Sequence, residues 1–159
     1  NQLVPRIIAR RKAGTLLRIG AEPKLVDSVY IDNAADAHIL AADRLSPGSP
    51  IAGRAYFITN GEPMPLWDLV DGILKAAHLP PVRGRISPKL AYAAGAIFET
   101  VHGLLGLAGE PRMTRFLVRE LSTAHWFDIG AARRSLGFEP KVSIKEGLRR
   151  LEASLFPAE

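Results

Sequence analysis

Residues 55–77 read AYFITNGEPMPLWDLVDGILKAA, and their hydrophobic pattern changes halfway along. Residues 55–59 form a short apolar and aromatic run, which is typical of a buried strand. The turn NGEP follows at 60–63, and apolar residues then recur with the period of a helix at 66, 69, 70, 73, 74 and 77. A strand, a turn and a helix in this order make half of a βαβ unit, so the segment predicts an α/β protein.

The flanking sequence continues this alternation and supplies caps for its helices. Asn33 and Asp128 are predicted as N-caps, and Gly137 as a left-handed C-cap. Ser143 and Glu146 have the spacing of a capping box. In full, we predict strands over 15–19, 26–31, 55–59, 82–86 and 125–127, helices that begin near 4, 33, 66, 88, 114, 128 and 143, and a buried face of the last helix at 144, 148, 151 and 155.

The composition is that of one folded domain and excludes several classes of site. The chain has 159 residues, 47% of them hydrophobic and 23% charged, with a net charge of +5 and no cysteine. A chain of this length can bury a core without disulfides, so we expect a single domain over 1–159. The four histidines, at 38, 78, 102 and 125, never have the spacing of helical metal ligands, so no metal site is predicted.

The basic residues do not form a nucleic-acid surface. The only dense run is 10–12, Arg-Arg-Lys, with Arg6 one helical turn earlier. No aromatic residue is interleaved with these cations, as base stacking would require. We therefore interpret them as a solvated helix face and predict no nucleic-acid partner.

The helix that opens at Ser87-Pro88 raises the question of a membrane. From Leu90 to Gly109 only Glu99 is charged, and 20 residues in a helix span roughly 30 Å, the thickness of a bilayer core. A charge in the middle of a span costs about 2.5 to 3.5 kcal/mol, so a core helix that packs closely through its small residues is favoured. Two alternatives are left open: the helix contacts a membrane peripherally through 88–109, or it lines a pocket for an apolar substrate.

Several catalytic motifs are absent from the sequence. There is no Gly-x-Ser-x-Gly elbow and no phosphate loop, and none of Tyr30, Tyr56 and Tyr92 is followed four residues later by Lys. The glycines of 103–109 have the spacing of a dinucleotide turn, but they follow a helix where that turn requires a strand. No catalytic or cofactor-binding residue is therefore predicted.

One run, VYIDNAADAHILAA at 29–42, resembles a known family. It is similar to the C-terminal part of extended short-chain dehydrogenases, especially the 3β-hydroxysteroid dehydrogenase/isomerase group, which includes sterol-carboxylate dehydrogenases and bacterial 2-alkyl-3-oxoalkanoate reductases. Further segments agree in order: NQLVP at 1–5, AGRAYFI at 52–58, WFD at 126–128, LGFEP at 136–140 and EGL at 146–148. Together they cover nearly the whole chain.

The resemblance implies which part of an enzyme this chain supplies. Residue 1, an Asn, would lie past the family's glycine turn and its Ser and Tyr-x-x-x-Lys residues, so NAD or NADP would bind mainly to an N-terminal part absent from this chain. The parent would be an NAD(P)-dependent oxidoreductase, and this piece would supply the substrate-binding lobe and the last parallel strands of a Rossmann-type sheet. We expect the piece alone to be inactive and the parent to be cytoplasmic, with membrane association and a homodimer left open.

The resemblance also implies a substrate class. Relatives that use nucleotide sugars carry an Arg where Val26 stands here, an aromatic residue where His125 stands, and an acid where Leu121 stands. Loss of the phosphate clamp favours a small apolar substrate, sterol-like or a 2-alkyl-3-oxoalkanoate. A nucleotide-sugar epimerase or dehydratase and a non-catalytic binding domain remain as alternatives. The substrate-binding candidates, each of which ordinary core packing would also explain, are Gln2, Leu3, Leu17, Ile19, Val26 and His125.

Overall fold

The computed structural model describes residues 3–109, 111 and 113–157. The helices in these ranges are α1 (Leu3–Lys12), α2 (Ile31–Arg44), α3 (Leu66–Ala76), α4 (Pro88–Leu104), α5 (Arg115–Ser122), α6 (Gly130–Leu136) and α7 (Ile144–Leu155). The strands are β1 (Arg18–Ile19), β2 (Leu25–Val26), β3 (Met64–Pro65) and β4 (Arg85–Ile86). Strands β1 and β4 pair in parallel, and β2 pairs with β3, so the predicted α/β class is confirmed.

The chain divides into two compact units, and the first comprises the described parts of 1–25 and 65–125. In it Arg18 of β1 lies opposite Arg85 of β4. The Arg18 guanidinium pairs with Asp71 of α3 and also donates to the Val82 carbonyl (2.9 Å). Asp71 in turn accepts from the Val82 backbone N–H (3.1 Å). These bonds fasten the segment that leads into β4 to both β1 and α3.

Helix α3 supplies much of the core of the first unit. Its Val70, Ile73 and Leu74 are buried, and α1 packs against it through the buried Ile7. The period-3.6 pattern that predicted α3 therefore places its apolar residues inward, as expected.

Helix α4 buries its small residues and exposes its large ones. Ala91 is fully buried and Gly95 lies against the backbone of Thr114 and Arg115, so the predicted close approach through small residues is confirmed. The prediction of a core helix is wrong for the large apolar residues of α4 and its C-cap, because Ile97 is 63% and Leu105 is 66% exposed. Within 3–109, 111 and 113–157, no helix combines the length and the apolar character needed to cross a membrane.

The second unit comprises the described parts of 26–64 and 126–159, and contains α2, α6 and α7. Its core is a cluster of buried residues from both segments: Ala37, Ile51, Ile129, Ala132, Leu136 and Phe138. Gly137 ends α6 in the left-handed conformation (φ 65°), as predicted, and the Ser143 hydroxyl accepts from the Glu146 backbone N–H, as in the predicted capping box.

Asn33 is not the N-cap of its helix, which was the sequence prediction. Helix α2 begins at Ile31, and Asn33 is 1% exposed inside it. Its amide nitrogen donates to Asn60 Oδ1 (2.9 Å) and to the Val142 carbonyl (2.7 Å). Its amide oxygen accepts from the backbone N–H groups of Lys141 and Val142 (both 3.0 Å). The side chain is used to satisfy buried backbone groups of a distant segment, which a local reading cannot detect.

Several other predicted elements differ from the structure. No strand is present over 55–59, whose end is held by single bonds from Asn60 N to the Ser28 carbonyl and from Thr59 Oγ1 to Asp27 (both 2.8 Å). The strand predicted over 26–31 is reduced to β2, and the strand at 125–127 to one bridge at His125, because each lacks a continuous partner. No residue of α7 is buried, contrary to the face predicted for it.

Candidate functional site

The first unit contains an apolar groove between α1, α3 and α5, which we call the α1–α3–α5 groove. Its volume is about 270 Å³. Helix α1 contributes Leu3 and Ile7, and α5 contributes Leu117 and Leu121, each pair at the i, i+4 spacing that places both side chains on one face. Helix α3 contributes its apolar face, including Trp67. The helical patterns of three segments thus converge on one concave surface.

Two arginines of α1 stand among these apolar side chains. Arg6 and Arg10 line the groove, again four residues apart, and none of the described residues that line it is acidic. A mostly apolar cavity with a few polar groups is the usual form of a small-molecule site. The groove thus combines an apolar lining with two guanidinium groups.

A second cavity, the α1–α4 cavity, lies at the C-terminal end of α1. Its volume is about 410 Å³, and its lining includes Arg10, Ala13 and Thr15 from the α1 end and Phe98 from α4. Arg10 also lines the α1–α3–α5 groove. One half-buried guanidinium is thus shared by two cavities of the same unit.

The predicted substrate residues lie in different places. Leu3 lines the α1–α3–α5 groove. Leu17 instead lies against Gly84, and the preceding residue, Leu16, lines the groove. Ile19 is buried in β1, and Val26 is half-buried at the end of β2. Gln2 lies outside the described residues. Of the predicted residues, the groove thus contains Leu3, and Leu121 also lines it.

His125 is engaged by its own neighbours. Its Nε2 lies 2.6 Å from Thr123 Oγ1 and 3.5 Å from Glu120 Oε2, and its backbone N–H donates to the Leu25 carbonyl (2.8 Å). The side chain is therefore held beside the end of α5 by a hydroxyl and a carboxylate. No group of three potential metal ligands occurs within the described residues.

The sequence interpretation missed the two arginines of the groove because it assigned them to a solvated face. A usable signal was present: Arg6 and Arg10 have the same spacing as Leu3 and Ile7, so α1 carries an apolar and a basic row side by side. The sequence interpretation also did not consider Asp27. Its Oδ2 accepts a hydrogen bond from Thr59 Oγ1 (2.8 Å), whereas its Oδ1 is buried without a partner among the described residues.

Comparison with known proteins places the chain in a family. A model of the 3-beta hydroxysteroid dehydrogenase/isomerase family matches residues 1–85, more than half of the 159 residues. The chain belongs to this family. The predicted resemblance to the 3β-hydroxysteroid dehydrogenase/isomerase group is thereby confirmed.

Curated relatives match nearly all of the chain. It is 52% identical to the 2-alkyl-3-oxoalkanoate reductase of Stenotrophomonas maltophilia, over 97% of the chain and 47% of that protein. It is 36% identical to the decarboxylating sterol-4-alpha-carboxylate 3-dehydrogenase of Schizosaccharomyces pombe, over 94% of the chain and 44% of that protein. The chain thus spans less than half the length of these relatives.

Solved structures of lower identity show the same fold. The crystal structure of gox2253 superposes with a TM-score of 0.60 at 21% identity, over 98% of this chain and 43% of that one. UDP-glucuronic acid 4-epimerase from Bacillus cereus, in complex with NAD, superposes with a TM-score of 0.58 at 17% identity, over 98% of this chain and 40% of that one. The family member described here therefore has the architecture of the corresponding part of these proteins.

Proposed function

We propose that this chain is the substrate-binding part of an NAD(P)-dependent oxidoreductase that acts on an apolar oxo or hydroxy acid of the 2-alkyl-3-oxoalkanoate type. The observation that carries the proposal is the α1–α3–α5 groove, whose described lining is apolar except for Arg6 and Arg10. The relatives of highest identity quoted above are named for reactions on alkyl oxo acids and sterol carboxylates, which are apolar molecules with an acidic group. Groove and relatives thus agree on the chemistry of the ligand.

Among the described residues, the glycines that follow α4 do not have the surroundings of a dinucleotide-binding turn. Gly106 and Gly109 adopt positive φ in the turn after α4, and the next helix, α5, begins only at Arg115. A dinucleotide turn would require a preceding strand and an immediate helix N-terminus. We therefore assign NAD or NADP to residues that precede Asn1 in the parent protein. The nicotinamide supplies or accepts the hydride, and this chain binds and orients the substrate.

The residues at positions 26 and 121 argue against the alternative of a nucleotide-sugar substrate. Val26 and Leu121 stand where a diphosphate clamp and an acid are expected in that class. Leu121 lines the α1–α3–α5 groove, where an apolar side chain contributes to binding of an alkyl chain but offers nothing to a sugar hydroxyl.

A matched pair of leucine deletions in the complete gene product tests the proposal. Leu121→Ala enlarges the groove, and Leu107→Ala removes an exposed leucine outside it. With a 2-alkyl-3-oxoalkanoate as substrate and NADPH or NADH oxidation as readout, Leu121→Ala should raise KM by about 3- to 10-fold, because apolar contact is lost. Leu107→Ala should leave KM unchanged. Turnover of a UDP-sugar, or equal effects of the two variants, would contradict the proposal.

We further propose that the exposed apolar face of α4 rests on an anionic lipid surface. This face is formed by Leu90, Ile97, Val101 and Leu104, with Lys89 exposed at its start. An apolar helix face that begins beside a lysine, on a chain of net charge +5, is compatible with an interfacial helix. An apolar substrate partitioned into such a surface would then be close to the groove of the same unit.

Vesicle binding separates a lipid surface from a second copy of the chain. The double variant Ile97→Glu with Leu104→Glu should lose binding to phosphatidylserine vesicles. The control, Ala153→Glu with Ser154→Glu on the exposed side of α7, changes the net charge equally and should retain most of the binding. If the α4 variant instead converts a dimer into a monomer in light scattering and leaves vesicle binding intact, this face binds a second copy.

A further inference from the structure

Arg10 is the residue that the two cavities of the first unit have in common. Among the described lining residues, no other one borders both the α1–α3–α5 groove and the α1–α4 cavity. Apart from Arg6, the groove side is lined by leucine, isoleucine, valine and tryptophan, and the other side is lined by Ala13, Thr15, Phe98 and Met113. A single cation therefore lies where two largely apolar spaces meet.

This arrangement specifies the shape of a ligand as well as its polarity. A guanidinium binds a carboxylate through two parallel hydrogen bonds, which also fixes the orientation of the acid. Alkyl chains leave water for apolar surfaces, and here such surfaces lie on both sides of the cation. An engineered cavity of about 150 Å³ already holds benzene. The volumes of about 270 and 410 Å³ therefore each accommodate a substantial hydrocarbon chain.

We propose that Arg10 binds the carboxylate of a two-chain acid, with one alkyl chain in the α1–α3–α5 groove and the other in the α1–α4 cavity. The inference rests on the proposed function and narrows it. In a 2-alkyl-3-oxoalkanoate the two chains diverge from adjacent carbons next to the carboxylate, so the charge lies at the branch point. A fused ring system is rigid and cannot divide between two cavities on either side of one residue. The geometry thus points to a branched acyl acid and away from a sterol.

The role of the charge is tested by comparing an acid with its ester. We suggest calorimetric titration of the complete gene product with 2-hexyl-3-hydroxydecanoate and with the methyl ester of the same acid. Arg10→Gln should weaken binding of the acid by about 10- to 100-fold and leave the affinity for the ester nearly unchanged. Lys12→Gln, which removes one charge from an exposed residue of the same helix outside both cavities, should alter neither affinity by more than about twofold.

The division of the chains is tested by filling one cavity from its rim. Ala13→Phe places a ring in the α1–α4 cavity from an exposed position at the end of α1. It should weaken binding of the two-chain acid by at least about fivefold and leave 3-hydroxydecanoate, which has a single chain, unaffected.

The outcomes distinguish this inference from the function on which it rests. Equal weakening of acid and ester by Arg10→Gln would show a merely structural arginine, and no weakening would exclude it from the site. An Ala13→Phe variant that affects both acids alike, or neither, would overturn the two-chain arrangement. If the unmodified protein binds neither the acid nor the ester, the proposed function itself fails.

Discussion

At the scale of single residues, Gly95 sets the distance between two helices. A Cβ at this position of α4 would lie 3.0 Å from the backbone nitrogen of Arg115 and 3.0 Å from the carbonyl carbon of Thr114. These are backbone atoms at the start of α5, which cannot move aside as a flexible side chain would. The close contact between α4 and α5 therefore depends on the absence of one methyl group.

Gly95→Ala should destabilise the protein by about 1 to 3 kcal/mol, because the steric cost exceeds the gain in helix propensity of at most about 1 kcal/mol. Gly103→Ala is the matched control on the same helix, since a Cβ there would have no atom within 4 Å. It should be neutral or slightly stabilising. Urea denaturation of both variants measures the difference, and equal stabilities would show that α4 and α5 can separate at no cost.

Asn33 is the residue whose role the sequence concealed. Asn33→Leu would leave the backbone N–H groups of Lys141 and Val142 without their acceptor, and we expect a loss of about 2 to 4 kcal/mol. Asp36→Asn on the same helix breaks only an exposed pair with Lys141 and should cost at most about 1 kcal/mol. The midpoints of urea denaturation measure the stability of the two variants. If Asn33→Leu loses no more stability than Asp36→Asn, water replaces the amide of Asn33 as the partner of the backbone N–H groups.

The residue types that could be predicted correctly are those that act locally. Ser143 caps the helix that begins at the next residue, and Gly137 supplies a positive φ directly after α6. Both roles depend on backbone within three or four residues. Asn33 bonds to residues more than a hundred positions away, and Arg10 acquires its role only when α1 lies beside two cavities.

At the scale of an element, α7 has a charge cluster that makes its stability depend on pH. Hydrogen bonds from Arg149 and Arg150 lower the pKa of Glu146 from its ordinary value of 4.5 to about 2. Arg150 also reaches Asp32 (3.2 Å) and lies over the Tyr30 ring (5.5 Å). The carboxylate of Glu146 thus helps to hold α7 to the segment around the start of α2 in the same unit.

A carboxylate with a lowered pKa in the folded state stabilises that state above its unfolded pKa and loses this contribution as the pH falls. For Glu146 this stabilising contribution should be lost as the pH falls from about 4.5 to about 2. Glu146→Gln should therefore be less stable than the unmodified protein at neutral pH, and the difference should shrink through this window. Urea midpoints of both proteins across the window provide the test, and a difference that is independent of pH would contradict it.

Helix α4 shows why the burial of an element is harder to predict than its existence. Its start at Ser87-Pro88 was predictable, because Ser87 accepts from the Leu90 backbone N–H and proline suits the first turn. Its two faces were visible as a stripe of large and a stripe of small residues. Which stripe is buried depends on the partner: α5 packs on the small stripe, where Gly95 allows close approach. Glu99 also accepts hydrogen bonds from the Arg115 backbone N–H (2.8 Å) and Nε (2.6 Å).

At the scale of the whole molecule, the order of weak motifs was more informative than any single element. The strand predicted at 55–59 is absent, yet the α/β class inferred from it is correct, because β1 and β4 form a parallel pair with helices between them. Five short segments in family order led to the same family as the match over residues 1–85. The shape of the groove could not be predicted, since it requires three helices to converge.

The last prediction concerns the division of labour in the complete enzyme. If this chain binds substrate and residues before Asn1 bind the cofactor, the two affinities can be changed separately. Gly103→Ala alters the glycine spacing at 103–109 without a steric clash, so it should leave the KM for NADPH or NADH unchanged in the complete gene product. Leu121→Ala should likewise leave the cofactor KM unchanged while it raises the substrate KM, because Leu121 lines only the groove among the cavities described above. Steady-state kinetics with each substrate varied in turn measures both constants. A large rise in cofactor KM for Gly103→Ala would place the dinucleotide within this chain, and the assignment of substrate binding to these residues and cofactor binding to others would then fail.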